Sequence, residues 1–388
     1  MEDIVKKSIK LFRKLNGKEK VKHILVWMGI VLFLVFIYFF NQGIDKKKLI
    51  EENGNQFEKA EVVEIVSEKR NEDGSQQGTQ ILKVCLKSGK FKGNIVEATN
   101  IDSYLYGADC EVGLPVIVQV SEYDGQLSAS VYNYNRMTIL FVMIGIFLLA
   151  LMLIGKRKGF TSALGLIFTF VCILYLYLPM LYLGYSPFLS AVIVTILTTL
   201  VTMYFIGGFS KKTLCSIIGT VGGVVIAGLF ASLFGKLGHI TGYNVEDIET
   251  LLYIGQNSKR QIGGLLFSGI LIASLGAVMD VAMSISTTIE ELHYHNPYMT
   301  KKALFKSGIK IGGDMMGTMS NTLILAFTGG SLSTLMIFYA YDIPFLQMMN
   351  SYEIGIEIMQ GIAGSLGVIL TVPLVSMIAA LYMGKNNS

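Results

Sequence analysis

The chain has 388 residues, of which 52% are hydrophobic and 15% charged; its mean hydropathy is +0.55 and its formal net charge +4. A soluble domain averages about 25% charged residues, so this composition excludes an ordinary soluble globule. The charges crowd into residues 1–23, 45–126 and a few short loops, which leaves no basic stripe for nucleic acid and makes lipid the expected solvent for most of the chain.

Lys6, Lys7, Lys10, Arg13, Lys14, Lys18, Lys20 and Lys22 make residues 1–23 a basic cytoplasmic segment, the pattern of a positive-inside anchor. Ile4, Val5, Leu11, Phe12 and Leu15 fall near one helical face, as in a short helix lying on anionic lipid. The run Ile24 to Phe40 carries no charge and just reaches the length of a bilayer crossing, so 24–40 is the expected first transmembrane helix. Asn41-Gln42-Gly43-Ile44 is not a small-residue cleavage site, which reads as an uncleaved anchor.

Residues 41–134 are expected to form an extracytoplasmic β-domain. After a polar linker (Lys46-Lys47-Lys48, Glu51-Glu52), alternating segments run Ala60 to Val66, Gln80 to Leu86, Phe91 to Thr99, Leu114 to Val120 and Gln126 to Tyr132. Asp73-Gly74, Ser88-Gly89 and Asp124-Gly125 supply turn chemistry between them. Five short strands in so few residues predict a small all-β barrel, SH3-like or OB-like. Cys85 and Cys110 share this domain, but no framework of spacings calls for a disulfide; Cys172 and Cys215 sit in apolar runs as packing residues.

From residue 135 to 388 the chain returns to lipid as a helical bundle, with spans expected near 137–154, 160–180, 187–206, 213–235, 263–286, 307–328 and 361–383. Lys156-Arg157-Lys158, Lys211-Lys212 and the cluster Lys301, Lys302, Lys306 and Lys310 mark cytoplasmic ends. The uncharged Gly184 to Pro187 turn and the acidic 236–262 loop (Glu246, Asp247, Glu249) mark outer ones. Residues 331–358 contain an apolar stretch too short to span. Reading them as an outer excursion yields about eight transmembrane helices, with both termini cytoplasmic. Two GxxxG motifs, Gly219/Gly223 and Gly313/Gly317, are candidates for close helix packing.

Ionisable groups at membrane depth are costly and tend to be functional. Spacing puts Asp280, Ser284, Thr287 and Glu291 on one helical face, and Lys310, Asp314, Gly317 or Thr318, and Asn321 on a face of the next span. Helical rise places Asp280 about 8 Å and Asp314 about 9 Å from the cytoplasmic boundary. If the faces meet, the carboxylates would bind a cation or share a proton. The alternatives are structural: Asp280 pairs with Lys310 or caps a broken helix, and Asp314 caps its own span after Gly312-Gly313. Glu290, Glu291, His293 and His295 read as a polar cytoplasmic loop. With no HExxH, GxSxG, P-loop or clustered Cys/His pattern in the chain, no catalytic set, metal or cofactor is expected.

The runs Gly276-Ala277-Val278-Met279-Asp280-Val281-Ala282-Met283-Ser284 and Gly313-Asp314-Met315-Met316-Gly317-Thr318-Met319-Ser320-Asn321-Thr322-Leu323-Ile324-Leu325-Ala326 resemble the signatures of the YibE/F-like bacterial membrane protein family. The resemblance covers about residues 137–383; it implies the bacterial cytoplasmic membrane but no established activity. A looser likeness to proton-driven secretion and efflux permeases departs in span count and outer-domain size, and fold-level analogy carries no function. The sequence-based expectation is a non-enzymatic transporter or export permease for an unknown small solute or ion. Asp280 and Asp314 would be its ion or proton sites, with Asn321, Ser284 and Thr318 along the path and a paralogous or homo-oligomeric membrane partner compatible with it. The rival is a scaffold that works through its β-domain.

Overall fold

The computed structural model describes residues 17–44, 55–68, 78–101, 107–123, 126–244, 249 and 262–385. The basic residues from Lys6 to Lys14, the Lys46–Lys48 and Glu51–Glu52 linker, the Asp73-Gly74 and Asp124-Gly125 turns, and Glu246 and Asp247 lie outside the described residues. The chain divides into two compact units, residues 45–150 and the remainder.

The first unit holds five strands: β1 (Asn55–Ser67), β2 (Thr79–Leu86), β3 (Ile95–Ile101), β4 (Pro115–Tyr123) and β5 (Gln126–Tyr134). They close into a barrel in the order β1-β2-β3-β5-β4, with β3 and β5 parallel and the other pairs antiparallel. Strict alternation puts Leu82, Val84, Leu86, Val96 and Ala98 inside, where they pack with Val62, Val116, Val118 and Val120. The third strand begins at Ile95, not Phe91. Gly89 and Gly93 adopt φ of 76° and 94°, and the Leu86 and Asn94 backbones close the turn (N···O 3.0 Å), so Phe91 sits in a loop. One polar pair is buried in the barrel. Asn100 Nδ2 donates to Gln80 Oε1 (3.0 Å) and to the Ala108 carbonyl (2.6 Å), while Ala108 N–H donates to Asn100 Oδ1 (3.3 Å). Gln80 Nε2 in turn reaches the Cys110 carbonyl (3.1 Å), clasping the 107–110 segment to the β2–β3 ladder. Cys85 and Cys110 are not joined in a disulfide.

The helices are α1 (Gly17–Gln42), α2 (Met137–Cys172), a π-helical turn (Ile173–Tyr177) running into α3 (Leu178–Tyr182), α4 (Pro187–Gly207), α5 (Lys211–Leu237), α6 (Leu265–His295), α7 (Lys301–Gly330), α8 (Leu332–Ala340), α9 (Phe345–Met349) and α10 (Tyr352–Met383). Among the described residues, six stretches are long and apolar enough to cross a membrane, or seven with the bent α7–α8 pair. One of the six, Met137–Tyr182, is 46 residues long, about 69 Å if straight and over twice a bilayer core. It breaks at Lys156, which adopts φ 49° and ψ −123°. Gly159, three residues on, comes so close to the Leu151 carbonyl that no Cβ would fit, so the helix is interrupted there.

The body is built inside out relative to a soluble protein. Its surface carries large apolar side chains such as Phe170, Leu189, Leu229 and Leu381, whereas Ser190, Thr198, Thr199, Ser216, Thr220, Thr371 and Ser376 are buried between helices. Small residues let the backbones approach: Gly219 and Gly223 of α5 abut Val375 and Thr371 of α10, and Gly228 lies against Leu271 of α6. Hydroxyl caps start the helices, with Ser210, Thr300 and Ser351 accepting from the N–H of Thr213, Ala303 and Ile354. At the π turn, Asn41 of α1 donates to the Tyr175 carbonyl (2.7 Å), a group that a regular ladder would occupy.

Two contacts fix which helix ends share a side. Lys212 at the start of α5 pairs with Glu290 near the end of α6 (2.9 Å). Lys385, just past α10, donates its N–H to the Met299 carbonyl before α7 (3.4 Å) and bridges Thr300. The α6–α7 connection and the C-terminal end of α10 therefore lie together. Helix α8 has nine residues and bends 59° from α7; at about 14 Å it is too short to span.

Candidate functional site

Helix α7 has its polar and packed sides on opposite faces. Leu304, Gly308 and Gly312 are buried, with Met319 and Leu323 packed on the same side. A methyl placed on Gly308 would lie 2.8 Å from Ser376 Cβ and 2.9 Å from Ile289 Cδ1, so α7 rests in the groove between α6 and α10. At 100° per residue, Lys310, Asp314, Gly317 and Asn321 centre on the far side, and all four are exposed. Of the two adjacent glycine pairs, Gly308/Gly312 makes the contact, while Gly313 and Gly317 have nothing within 4 Å.

Helix α6 is divided in the same way. Ser274, Val278, Val281, Ala282, Ile285 and Ile289 are buried, while Asp280 and Glu291 are exposed and Ser284 and Thr287 half-buried. Ile289 opposes Gly308 and Ile285 opposes Gly312. Extending that antiparallel register sets Asp280 level with Gly317 and Asp314 level with Met283, a height difference of about 5 Å. The two carboxylates thus share a level on neighbouring helices, each outside its helix's packed face.

Neither forms an ion pair with the other or with a lysine or arginine among the described residues. Among the described residues, Asp280, Asp314, Asn321 and Lys310 make no side-chain hydrogen bond or ion pair, so the Asp280–Lys310 pairing does not form. Asp314 caps nothing: it lies in mid-helix, and Thr300 caps α7. Thr318 and Thr322 donate to the carbonyls of Met315 (3.0 Å) and Thr318 (2.9 Å), and Thr288 to that of Ser284 (2.9 Å), each within its own helix. Glu290, Glu291, His293 and His295 occupy the last turns of α6, not a loop, because Asn296 N–H still bonds the Leu292 carbonyl (3.0 Å). His295 reaches Glu291 one turn back (3.9 Å). No group of three His, Cys, Asp or Glu that could hold a metal gathers among the described residues.

A further carboxylate lies inside what the sequence reads as an excursion. Helix α10 starts at Tyr352, nine residues before the expected span, because Ser351 caps it. Glu357 is therefore helical and faces the bend between α7 and α8. Its Oε2 is closed off from solvent and has no hydrogen-bond partner among the described residues. Two cavities meet there, of about 400 and about 260 Å³, both lined by Ser331, Ile354 and Glu357. The signal that would have found it is Ser351, a helix cap followed by an apolar repeat at helical spacing.

The YibE/F-like protein family matches residues 143–385, more than half of the chain. No curated protein and no solved structure matches it. The matched stretch takes in α4 to α10, hence Asp280, Asp314 and Glu357, and leaves out α1 and the barrel. With its apolar helices and both signature runs inside that stretch, the chain belongs to the YibE/F-like family.

Proposed function

We propose that the chain is a multi-pass transporter of the bacterial cytoplasmic membrane. It would cross eight times, with α1, the two limbs of Met137–Tyr182, α4, α5, α6, α7 and α10 as spans and both termini cytoplasmic. The shared side of the α6–α7 connection and the α10 end supports an even number of crossings for that part of the body. The observation that carries the transport reading is the pair of level, unpartnered carboxylates, Asp280 and Asp314, in mid-helix on exposed faces. A charged group facing hydrocarbon is costly, so such a face belongs against water or protein. Asn321, Ser284 and Thr318 extend the faces toward either end. The cargo class is a small cation or proton, or a solute coupled to one. The test is flux into proteoliposomes followed with an entrapped pH dye and with sodium under an imposed potential. Asp280→Asn and Asp314→Asn should each lower the flux at least tenfold; full flux in both variants overturns the proposal.

A second reading rests on the barrel, which has a closed sheet and a core of its own. Its strand order fits an OB-like barrel better than an SH3-like one, and such barrels commonly bind ligands on an open face. In this reading the outer domain recruits a partner and the helices hold it in the membrane. Deleting residues 45–134 separates the two: a scaffold loses its cellular function, while a permease keeps a basal flux.

A further inference from the structure

We propose that the bend between α7 and α8 is a binding site for an amphipathic cation, a molecule with an amine or quaternary ammonium head on an apolar tail, and that Glu357 is its counter-ion. Three observations carry this. The larger cavity, about 400 Å³, is walled by Ile324, Phe327, Leu335, Ile358 and Ile362, an apolar chamber of the size that takes small organic ligands. The smaller, about 260 Å³, adds Asn244, Thr334, Glu353 and Gln360, a polar chamber with a second carboxylate. Glu357 stands where the two meet, and its Oε2 is buried and unpartnered among the described residues.

A carboxylate oxygen withdrawn from water favours a donor or a cation placed against it. Among the described residues neither cavity is lined by a lysine or arginine, so none of them supplies a countercharge and a cationic ligand head would. The polarity of the site also has a direction. Asn244 and Glu353 mark the end near the start of α10, while Ile324, Gly361 and Ile362 lie further along the span. A ligand entering head-outward, as lipids are oriented, would set its cation at Glu357 and its tail among the isoleucines. Helix α8 meets α7 at 59° after Ser331, and this bend holds the chamber open beside α10. The site is separate from Asp280 and Asp314 and stands whether or not those residues carry ions.

The full chain in lipid nanodiscs is photolabelled with dodecylamine bearing a diazirine in its chain, and the labelled peptides are mapped by mass spectrometry. The label should fall on residues 324–335 and 354–362. Excess dodecylamine should reduce it at least tenfold and excess dodecanol should leave it. Glu357→Gln should lose at least nine-tenths of the label, while Asp280→Asn with Asp314→Asn keeps it. Label spread over all lipid-facing helices, equal competition by dodecanol, or undiminished labelling of a folded Glu357→Gln protein overturns the proposal. The wild-type competition decides it even if that variant does not fold.

Discussion

Leucine placed at Gly312 and at Gly317 should have opposite effects, because the two glycines lie on different sides of the same helix. At Gly312 the first added carbon already overlaps Val372 and stands 2.9 Å from Ile285 Cδ1. Ile285 and Val372 are 0% and 2% exposed and have nowhere to retreat. Overpacking of this kind costs about 3 kcal/mol at the upper end of its usual range. Replacing a helical glycine returns about 1 kcal/mol, leaving a net loss of about 2 kcal/mol. Gly317 has nothing within 4 Å, so Gly317→Leu should keep the gain without the clash. The assay is the fraction of detergent-solubilised protein surviving a heat ramp, read by size-exclusion chromatography. Gly312→Leu should lower the midpoint by about 4–8 °C, using the relation for a body of 150–250 residues, and Gly317→Leu should not lower it. Equal losses at both positions would refute the assignment of α7's packed face.

In the barrel, Asn100→Ala removes both the donor to Gln80 and Ala108 and the acceptor for Ala108 N–H. The groups left unpaired cost about 1–3 kcal/mol, so hydrogen exchange of residues 107–110 in the full chain should quicken about 5- to 150-fold; unchanged exchange would show that this clasp does not hold the segment. Cysteines introduced at Asn296 and Lys385 should be labelled from one side of the membrane and those at Tyr185 and Tyr341 from the other. Labelling of Asn296→Cys and Lys385→Cys from opposite sides would require an odd number of crossings between them and overturn the eight-span count.

The long helices are legible because their apolar runs are uninterrupted, and the strands because alternation is visible in segments such as Gln80 to Leu86. Helix ends are less so. Glu290 to His295 and Tyr352 to Gln360 are polar enough to read as loops, yet the backbone ladder, closed by Asn296 N–H on the Leu292 carbonyl, carries α6 to His295, and the Ser351 cap starts α10 at Tyr352. Spacing shows the polar stripes but not where they point. A helical pattern shows that Asp314 and Gly308 are on different faces without saying which one meets a neighbour. That choice depends on Val372, Ser376 and Ile289, residues remote in the chain whose shape fits glycine. For the same reason the sequence singles out Gly313/Gly317 as a packing motif, and the fold uses Gly308/Gly312. Ser351 marks Glu357 as helical, but the isolation of its carboxylate depends on a bend at Ser331 that no local pattern announces.

Water access at the level of the carboxylates tests the account most directly. Single cysteines at Ser284 and Thr318, in a chain lacking Cys85, Cys110, Cys172 and Cys215, are treated with a charged, membrane-impermeant methanethiosulfonate in intact proteoliposomes, with Leu229→Cys on the exposed apolar surface of α5 as control. Rapid modification of Ser284→Cys and Thr318→Cys, with Leu229→Cys inert, is the result expected of a hydrated path along α6 and α7. Equal inertness of all three would place those faces in a dry contact and contradict it.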